Sequence, residues 1–436
     1  MSYYLNSIEE LTEDKILKII RDFRLTELPR LQHYKDYYEG DQAIMYKTYT
    51  DESKPCNRVV VNHCYSIVTN YKGFIVGKPV TYASDEDISD LNEILFYNDV
   101  HNEDNDLLES ALVYGISFEV NYLDSDVMQR FKTFDSRECI PVYSSNLEEE
   151  VLAVIRMYSA NDLDDVQKAY VDVYTDKEIR KYATNDGYNS LSPLDVVPHY
   201  YGMVPVTVFK LNNEAKSIFD RILTLQDSYN ELISSSVDDV DAWVDAYLLL
   251  VGYDADSEDI KKMKEDRVLL VDESGAASFL TKDSNGESRV KWLLDEIKEE
   301  IQKIACCPDF LDETFGAQSG IAIQYRLIGM ENQAASIESA MKKALLRRIE
   351  LINQIQRLTV DDLGWSSIDI IFTRNLPYDT EYIVNIINSL RGMISEKTLI
   401  SQLPFIKDVD KELEQLAEEK AQEQPIIYDF NYGDEE

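Results

Sequence analysis

From residue 321 to about 358 the chain places apolar side chains at steps of four and three without a proline. Ile323, Leu327, Met330, Ala334, Ile337, Met341 and Ala344 form one seam, and Leu345, Ile349, Ile352 and Ile355 take it over. About 37 residues at 1.5 Å each give a helix near 55 Å long. That is longer than a small domain is wide, so the fold has to be assembled around this element. A second long pattern runs over residues 217–250 (Ile218, Ile222, Leu225, Tyr229, Leu232, then Val240, Trp243 and Tyr247), and a third over 290–307 (Val290, Leu293, Ile297, Ile301, Ile304). Between these two lies a charged, glycine-containing stretch whose centre, RVLLVDESGAASFLT, predicts a β-hairpin around Ser274 and Gly275.

The N-terminal half reads differently. Residues 8–23 and 27–39 predict two helices, the first with Ser7 as N-cap and the second stopping at Gly40. A polar link and a turn at Pro55-Cys56-Asn57-Arg58 precede a helix over 60–75 and a strand at Val80-Thr81-Tyr82. Residues 85–109 hold ten acids and no basic side chain, which reads as a solvated acidic helix pair. From 116 to about 184 the period changes to two, giving five or six strands, with KAYVDVYT-DK-EIRKYAT as a hairpin. A strand at 368–373 and helices at 380–390, 396–403 and 410–422 complete an α+β, helix-rich chain.

Charge narrows the function. The 436 residues carry 82 Asp+Glu against 43 Lys+Arg, a net charge of −39. Coating nucleic acid phosphates or anionic membranes is excluded at that balance. The first residues lack a basic n-region and apolar core, and AYLLLVGY (246–253) is too short to cross a bilayer, so a soluble, cytosol-made protein is expected. The five cysteines have no CxxC spacing and the four histidines no HxH or HxxxH pair, so buried reduced thiols are expected and no metal.

Catalytic patterns fail one by one. GFIVGKP (73–79) is one residue short of a phosphate loop, puts Pro79 where the magnesium-binding hydroxyl belongs, and follows a helix. The carboxylates Asp238, Asp239, Asp241 and Asp245 could suggest a metal-dependent nuclease, but their spacing spreads them around a helix, and a solvated or repelling face is the better reading. Residues 254–259 lack the glycine and terminal Glu of a calcium loop, and no GxSxG, HExxH or SxxK occurs. No enzyme and no cofactor are expected.

Several short motifs then occur together in order. Tyr37-Tyr38-Glu39-Gly40 comes first. Asn57-Arg58-Val59-Val60-Val61-Asn62 follows as a strand leading into a helix, and Gly77-Lys78-Pro79 opens an exit ending at Tyr82. GMVPVTVFKLN, LQDSYNELISSSVDDVDAWVDAYLLLVG, SGIAIQYRL and MISEKTLISQLPFIKDVDKELEQL continue the series. In this order and spacing the chain resembles the portal (head-to-tail connector) proteins of tailed bacteriophages, siphophage type, over most of its length.

The resemblance implies a plan and a role. The N-terminal wing would span 1–216, a stem helix 217–250, the clip 251–289, and a second stem helix 290–307. A tunnel loop would occupy 308–320, the long wing helix and a wing strand 321–378, and the crown with an acidic tail 379–436. Such subunits form a ring, commonly of twelve, at one capsid vertex of the virion, assembled in the host cytoplasm. The ring would contact major capsid and scaffold proteins, dock the terminase, pass double-stranded DNA, then hold a head-completion adaptor and tail proteins. No membrane is involved, and the motor ATPase belongs to the terminase.

An acidic lumen would repel DNA and keep it centred, leaving sparse contacts. The channel candidates are Gln318, Ser319 and Gly320, and the basic cluster Lys342, Lys343, Arg347 and Arg348. Those four meet either DNA or, as the favoured reading, a neighbouring subunit's acidic helix. In the clip, Lys261, Lys262, Lys264 and Arg267 either meet acidic partner surfaces or form a solvated helix face. The alternative identity is another ring-forming capsid-associated protein of adaptor or scaffold type.

Overall fold

The computed structural model describes residues 3–49, 55–161, 167–185, 187–244, 248–251, 276–279, 285–310, 320–356, 367–375 and short stretches between 384 and 417. Met1–Asn375 form one unit and Leu376–Glu436 a second. In the second unit the described helix is Glu396–Ile400, with Leu399 buried.

Strand β1 (Tyr3–Leu5) leads into α1 (Glu13–Glu39), a single 27-residue helix where the sequence pattern predicts two. Its cap is Thr12, whose hydroxyl accepts from the Lys15 N–H, and not Ser7. Pro29 lies inside it. The proline has no N–H for the Leu25 carbonyl, but Leu25 faces solvent at 74% exposure, so the helix continues past it. The expected stop holds: Gly40 adopts φ 95° and its N–H returns to the Asp36 carbonyl.

Helix α2 (His63–Val76), strand β2 (Thr81–Ala83), and helices α3 (Ser89–Tyr97) and α4 (Val100–Tyr114) follow. The acidic run does form a helix pair, yet it is not wholly solvated, because Glu103 and Asp104 are buried. The period-two interval supplies β3 (Ile116–Leu123), β4 (Gln129–Phe134), β5 (Cys139–Ser144), β6 (Val151–Asn161), β7 (Gln167–Tyr174) and β8 (Glu178–Thr184). Two more strands, β9 (Ser192–Pro198) and β10 (Val206–Lys210), complete two sheets of order β1-β5-β6-β7-β8-β9 and β10-β3-β4. The β7–β8 hairpin forms as predicted, and β1 adds to β5 in parallel. Ile116, Phe118, Val120, Val154, Val204 and Val206 meet in a core shared between the two sheets.

The helical half begins with α5 (Leu223–Val244). The expected helix to residue 250 ends sooner, because Leu248–Val251 is a strand, β11. It pairs antiparallel with β12 (Ala276–Phe279), Leu248 opposite Phe279. The predicted hairpin therefore has one described arm, with a different partner, and its other arm (267–271) lies outside the described residues. A run of four apolar residues suits a buried strand as well as a helix, and pairing decides. Helix α6 (Asn285–Ile304) ends three residues before its predicted limit, and Cys306 beyond it sits at φ 50°. Helix α7 (Gly320–Gln356) matches the predicted long helix, with Leu327, Met330, Ala334, Ile337, Met341, Ala344, Leu345, Ile349 and Ile352 all buried. It packs on α2, β3 and β10. Strand β13 (Asp369–Ile371) pairs with β2.

Arg348 corrects the sequence reading. It is fully buried and so faces neither DNA nor a neighbouring subunit. Its guanidinium donates to both Glu119 oxygens on β3 (2.5–3.0 Å), to Asp104 Oδ1 on α4 (2.6 Å) and, at 3.5 Å, to the Tyr82 hydroxyl on β2. The Phe131 ring lies 4.4 Å away. One side chain thus ties α7 to α4, β2 and β3. The cluster holds two carboxylates to one cation, and Asp104 Oδ2 has no hydrogen-bond partner. Burial raises the pKa of Asp104 and of Glu119 above the ordinary range, with Arg348 offsetting part of the rise.

Two measurements check this. Arg348→Met strands two carboxylates and should cost roughly 3–5 kcal/mol in urea unfolding. Asp104→Asn should cost less than about 1 kcal/mol. The raised pKa means that the folded chain keeps a proton the unfolded chain loses above about pH 4, so stability declines as pH rises through the folded-state value. Asp104→Asn should flatten that decline; an unchanged pH profile contradicts the assignment.

Candidate functional site

Residues 55–62 have no strand partner, although the portal resemblance places a strand at 57–62, and the helix predicted from Val60 begins only at His63. Their backbone is held instead by one face of α5. The N–H groups of Asn57, Val59, Val61 and His63 donate to Asp238 Oδ1 (2.6 Å), Ser234 Oγ (3.0 Å), Asn230 Oδ1 (3.0 Å) and Gln226 Oε1 (3.2 Å). Gln226 Nε2 donates back to the Val61 carbonyl at 2.7 Å. The partners step by two along the extended segment and by four along the helix, in opposite directions. Two extended residues advance about 6.6 Å and four helical residues about 6 Å, so the two repeats stay in register over four rungs.

This inverts the reading of α5. Gln226, Asn230, Ser234 and Asp238 are buried, while the apolar series Leu225, Tyr229 and Leu232 is half-buried and Val240 is 64% exposed. Sequence reasoning missed these four. A signal existed in the polar side chains at strict steps of four, which no solvated face requires. Asp238 is not on the solvated face predicted for it. It accepts from the Asn57 N–H and amide, from the Tyr49 hydroxyl (3.1 Å) and from Lys47 Nζ (3.5 Å). Burial alone would raise its pKa, but these donors hold it below the ordinary value. Asp241 accepts from Asn57 Nδ2 at 2.6 Å, and Asp245 lies outside the described residues.

The motif residues converge on the same junction. Tyr37 and Tyr38 end α1; their hydroxyls donate to Asp227 on α5 (2.6 Å) and Glu109 on α4 (3.0 Å). Asn62 caps α2 by accepting from the Tyr65 N–H, and its amide donates to the Tyr38 carbonyl at 2.9 Å. Buried Gln42 donates to the Tyr37 carbonyl and accepts from Asn230 Nδ2 (2.6 Å). Gly40 supplies the left-handed turn that lets the chain reach Gln42. Arg58 Nε holds the Lys47 carbonyl at 3.1 Å. Gly77, Lys78 and Pro79 stand apart, after α2, where a Cβ on Gly77 would come 2.7 Å from Asn375 Nδ2.

The remaining candidates are scattered. Lys342 and Lys343 are exposed on α7, while Arg347 is half-buried and donates to Glu350 at 2.6 Å. Gly320 is the first residue of α7. Gln318, Ser319, Lys261, Lys262, Lys264 and Arg267 lie outside the described residues. Among the described residues no group of His, Cys, Asp and Glu is arranged to hold a metal, and no helix is long and apolar enough to cross a membrane. All five cysteines are free, with Cys64, Cys139 and Cys307 buried.

Asn230→Ala removes a rung and orphans the Val61 N–H and Gln42 Oε1, and should cost about 1–3 kcal/mol in urea unfolding. Ser228→Ala, on the exposed side of the same helix, should cost under about 0.5 kcal/mol. Equal losses would mean that the ladder adds nothing.

A family model described as "Phage portal protein, SPP1 Gp6-like" matches residues 17–425. The portal protein of Bacillus phage SPP1 is 25% identical over 464 aligned positions, covering 98% of this chain and 89% of that protein. The portal protein of Clostridium phage phiCD119 is 25% identical over 319 positions, 69% of each chain. With the family match spanning the ladder, the Arg348 cluster and the long helix alike, the chain belongs to the SPP1 Gp6-like family of phage portal proteins.

Proposed function

We propose that copies of this chain assemble head-to-tail into a closed ring, of about the twelve subunits common in such assemblies, at one capsid vertex. The ring is the channel for double-stranded DNA during packaging and ejection. It docks the terminase first and a head-completion adaptor and tail proteins later, and it is held among major capsid and scaffold proteins. The observation that carries this reading is the family match over residues 17–425. The order of α5, the β11–β12 pair, α6 and α7 supports it, since that order fits stem (217–250), clip (251–289), second stem (290–307), tunnel loop (308–320) and long wing helix. Residues 379–436 are assigned to the crown.

The role is structural and not enzymatic. Of the α5 carboxylates that could have suggested a nuclease, Asp238 and Asp241 are engaged in holding Asn57 and so serve the fold. A net charge of −39 per subunit favours DNA that slides past over DNA that is gripped. Of the basic cluster, the exposed Lys342 and Lys343 are the residues left for sparse DNA contact, together with Gln318, Ser319 and Gly320. Lys261, Lys262, Lys264 and Arg267 are assigned to partner contact in the clip.

Electron microscopy of the purified chain, alone and with capsid and scaffold proteins, tests this. Closed rings with a central hole wide enough for duplex DNA are expected. Monomers under every condition, or closed particles without a hole, would overturn the proposal.

A further inference from the structure

The face of the β10-β3-β4 sheet that meets α4 and α7 is polar. Alternation along β3 sends Ile116, Phe118 and Val120 to the core between the two sheets and leaves Ser117, Glu119 and Asn121 on the other side. The antiparallel register sets Thr207 of β10 and Thr133 of β4 directly opposite Glu119, one on each flank. Residues so placed have their Cβ atoms about 5 Å apart, so the two threonines flank the residue whose carboxylate Arg348 grips. Ser117, Asn121 and Thr207 are at most 2% exposed.

This layer is short of partners. The hydroxyls of Ser117, Thr133 and Thr207, both amide atoms of Asn121 and Asp104 Oδ2 are buried without a hydrogen-bond partner among the described residues. Each such atom costs about 1–3 kcal/mol if it stays unpartnered. The layer is also short of positive charge. Arg348 faces Asp104 and Glu119, which leaves one uncompensated negative charge among side chains that are at most 1% exposed. The next ion pair outward, Lys132 with Glu103 at 2.8 Å, is balanced and contributes nothing to the deficit. A proton on Asp104 removes the charge but engages a single oxygen. Water engages the oxygens but leaves the charge. A cation held by oxygens does both, and a donor set of carboxylate, hydroxyl and amide oxygens suits a hard cation. A single positive charge neutralises the layer, whereas a divalent ion would leave it with a buried positive charge of the same cost.

We propose that this layer binds one hard monovalent cation, sodium or potassium, through Asp104 Oδ2 and the oxygens of Thr133, Thr207 and Asn121 on the Glu119 face of the sheet. The ion and the proton that Asp104 keeps at lower pH are alternatives for the same excess charge. When bound, the ion ties α4 to the sheet beside the point where Arg348 ties α7 to both. Every group belongs to one subunit, so the inference stands apart from the ring reading.

Thermal unfolding of the full-length chain at pH 8.5, where a proton competes least, tests this. Sodium, potassium and tetramethylammonium chlorides are compared at one ionic strength, the last cation being too bulky for a buried set of oxygens. Each tenfold rise in the bound ion above its Kd should raise the folded-to-unfolded ratio about tenfold, and the larger rise names the ion. Asp104→Asn should abolish the difference between the salts, and Thr207→Val should reduce it. Asp106→Asn, an exposed acid on the same helix, should leave it intact. Line broadening of the sodium NMR signal by the wild type, lost in Asp104→Asn, would support the site without recourse to unfolding. Equal midpoints in all three salts overturn the proposal. A salt difference that survives Asp104→Asn also overturns it, because the effect then arises elsewhere on the acidic chain.

Discussion

The structure depends on a near-coincidence of two repeats. An α-helix brings every fourth side chain to one face about 6 Å further on, and an extended chain brings every second N–H to one side about 6.6 Å further on. On α5, Gln226, Asn230, Ser234 and Asp238 use that match to satisfy the backbone of residues 57–63, as a neighbouring strand would. A buried N–H without a partner is costly, so the segment has no comparable alternative seat. Everything nearby is referred to this contact. Asn62 begins α2, Gln42 fastens the end of α1, and the tyrosines of the Tyr-Tyr-x-Gly motif reach α5 and α4. The extended segment is thereby the joint between the N-terminal helices and the helix that leads toward β11.

A second joint lies at the other long helix, and it is electrostatic. Arg348 reaches from α7 to β2, β3 and α4 through Tyr82, Glu119 and Asp104. A buried ion cluster of this kind adds little stability over an apolar replacement, yet removal of its one cation, which leaves both carboxylates unpaired, is expensive. Its effect is to allow one register of α7 against the sheet and to penalise others. Arg374, paired with Glu331 and Glu338 on the same helix, fixes a second point along it. Both joints take charged residues out of service as surface groups, so a count of basic residues along α7 overstates what is available to DNA or to a partner.

How much of this could be read from the sequence follows the physics of each element. The long helix was legible because its buried side chains are apolar and periodic, and α7 ends within two residues of expectation. The sheet module was legible through its alternation. The break predicted between residues 23 and 27 does not occur, and the single helix also runs on past Pro29 because Leu25 lies on a solvent side, where a missing hydrogen bond costs little. The face of α5 was misread because burial there is polar: the rule that apolar residues mark the inside has no purchase on Gln226, Asn230 or Ser234. Arg348 was misread for the same reason, since its carboxylates lie more than two hundred residues away in sequence and no local pattern announces them. The short motifs pointed correctly to the family, while their physical work, fastening a joint, became visible only when α5 was laid beside them.

The central claim is that residues 57–63 are held as firmly as a sheet strand although they belong to no sheet. Native-state hydrogen exchange of the Asn57, Val59, Val61 and His63 amides measures this directly. The ladder predicts that all four exchange only through large-scale unfolding, with protection matching the buried amides of β3. Exchange at rates typical of an exposed loop would show that α5 does not hold this segment, and the account of the joint would fall.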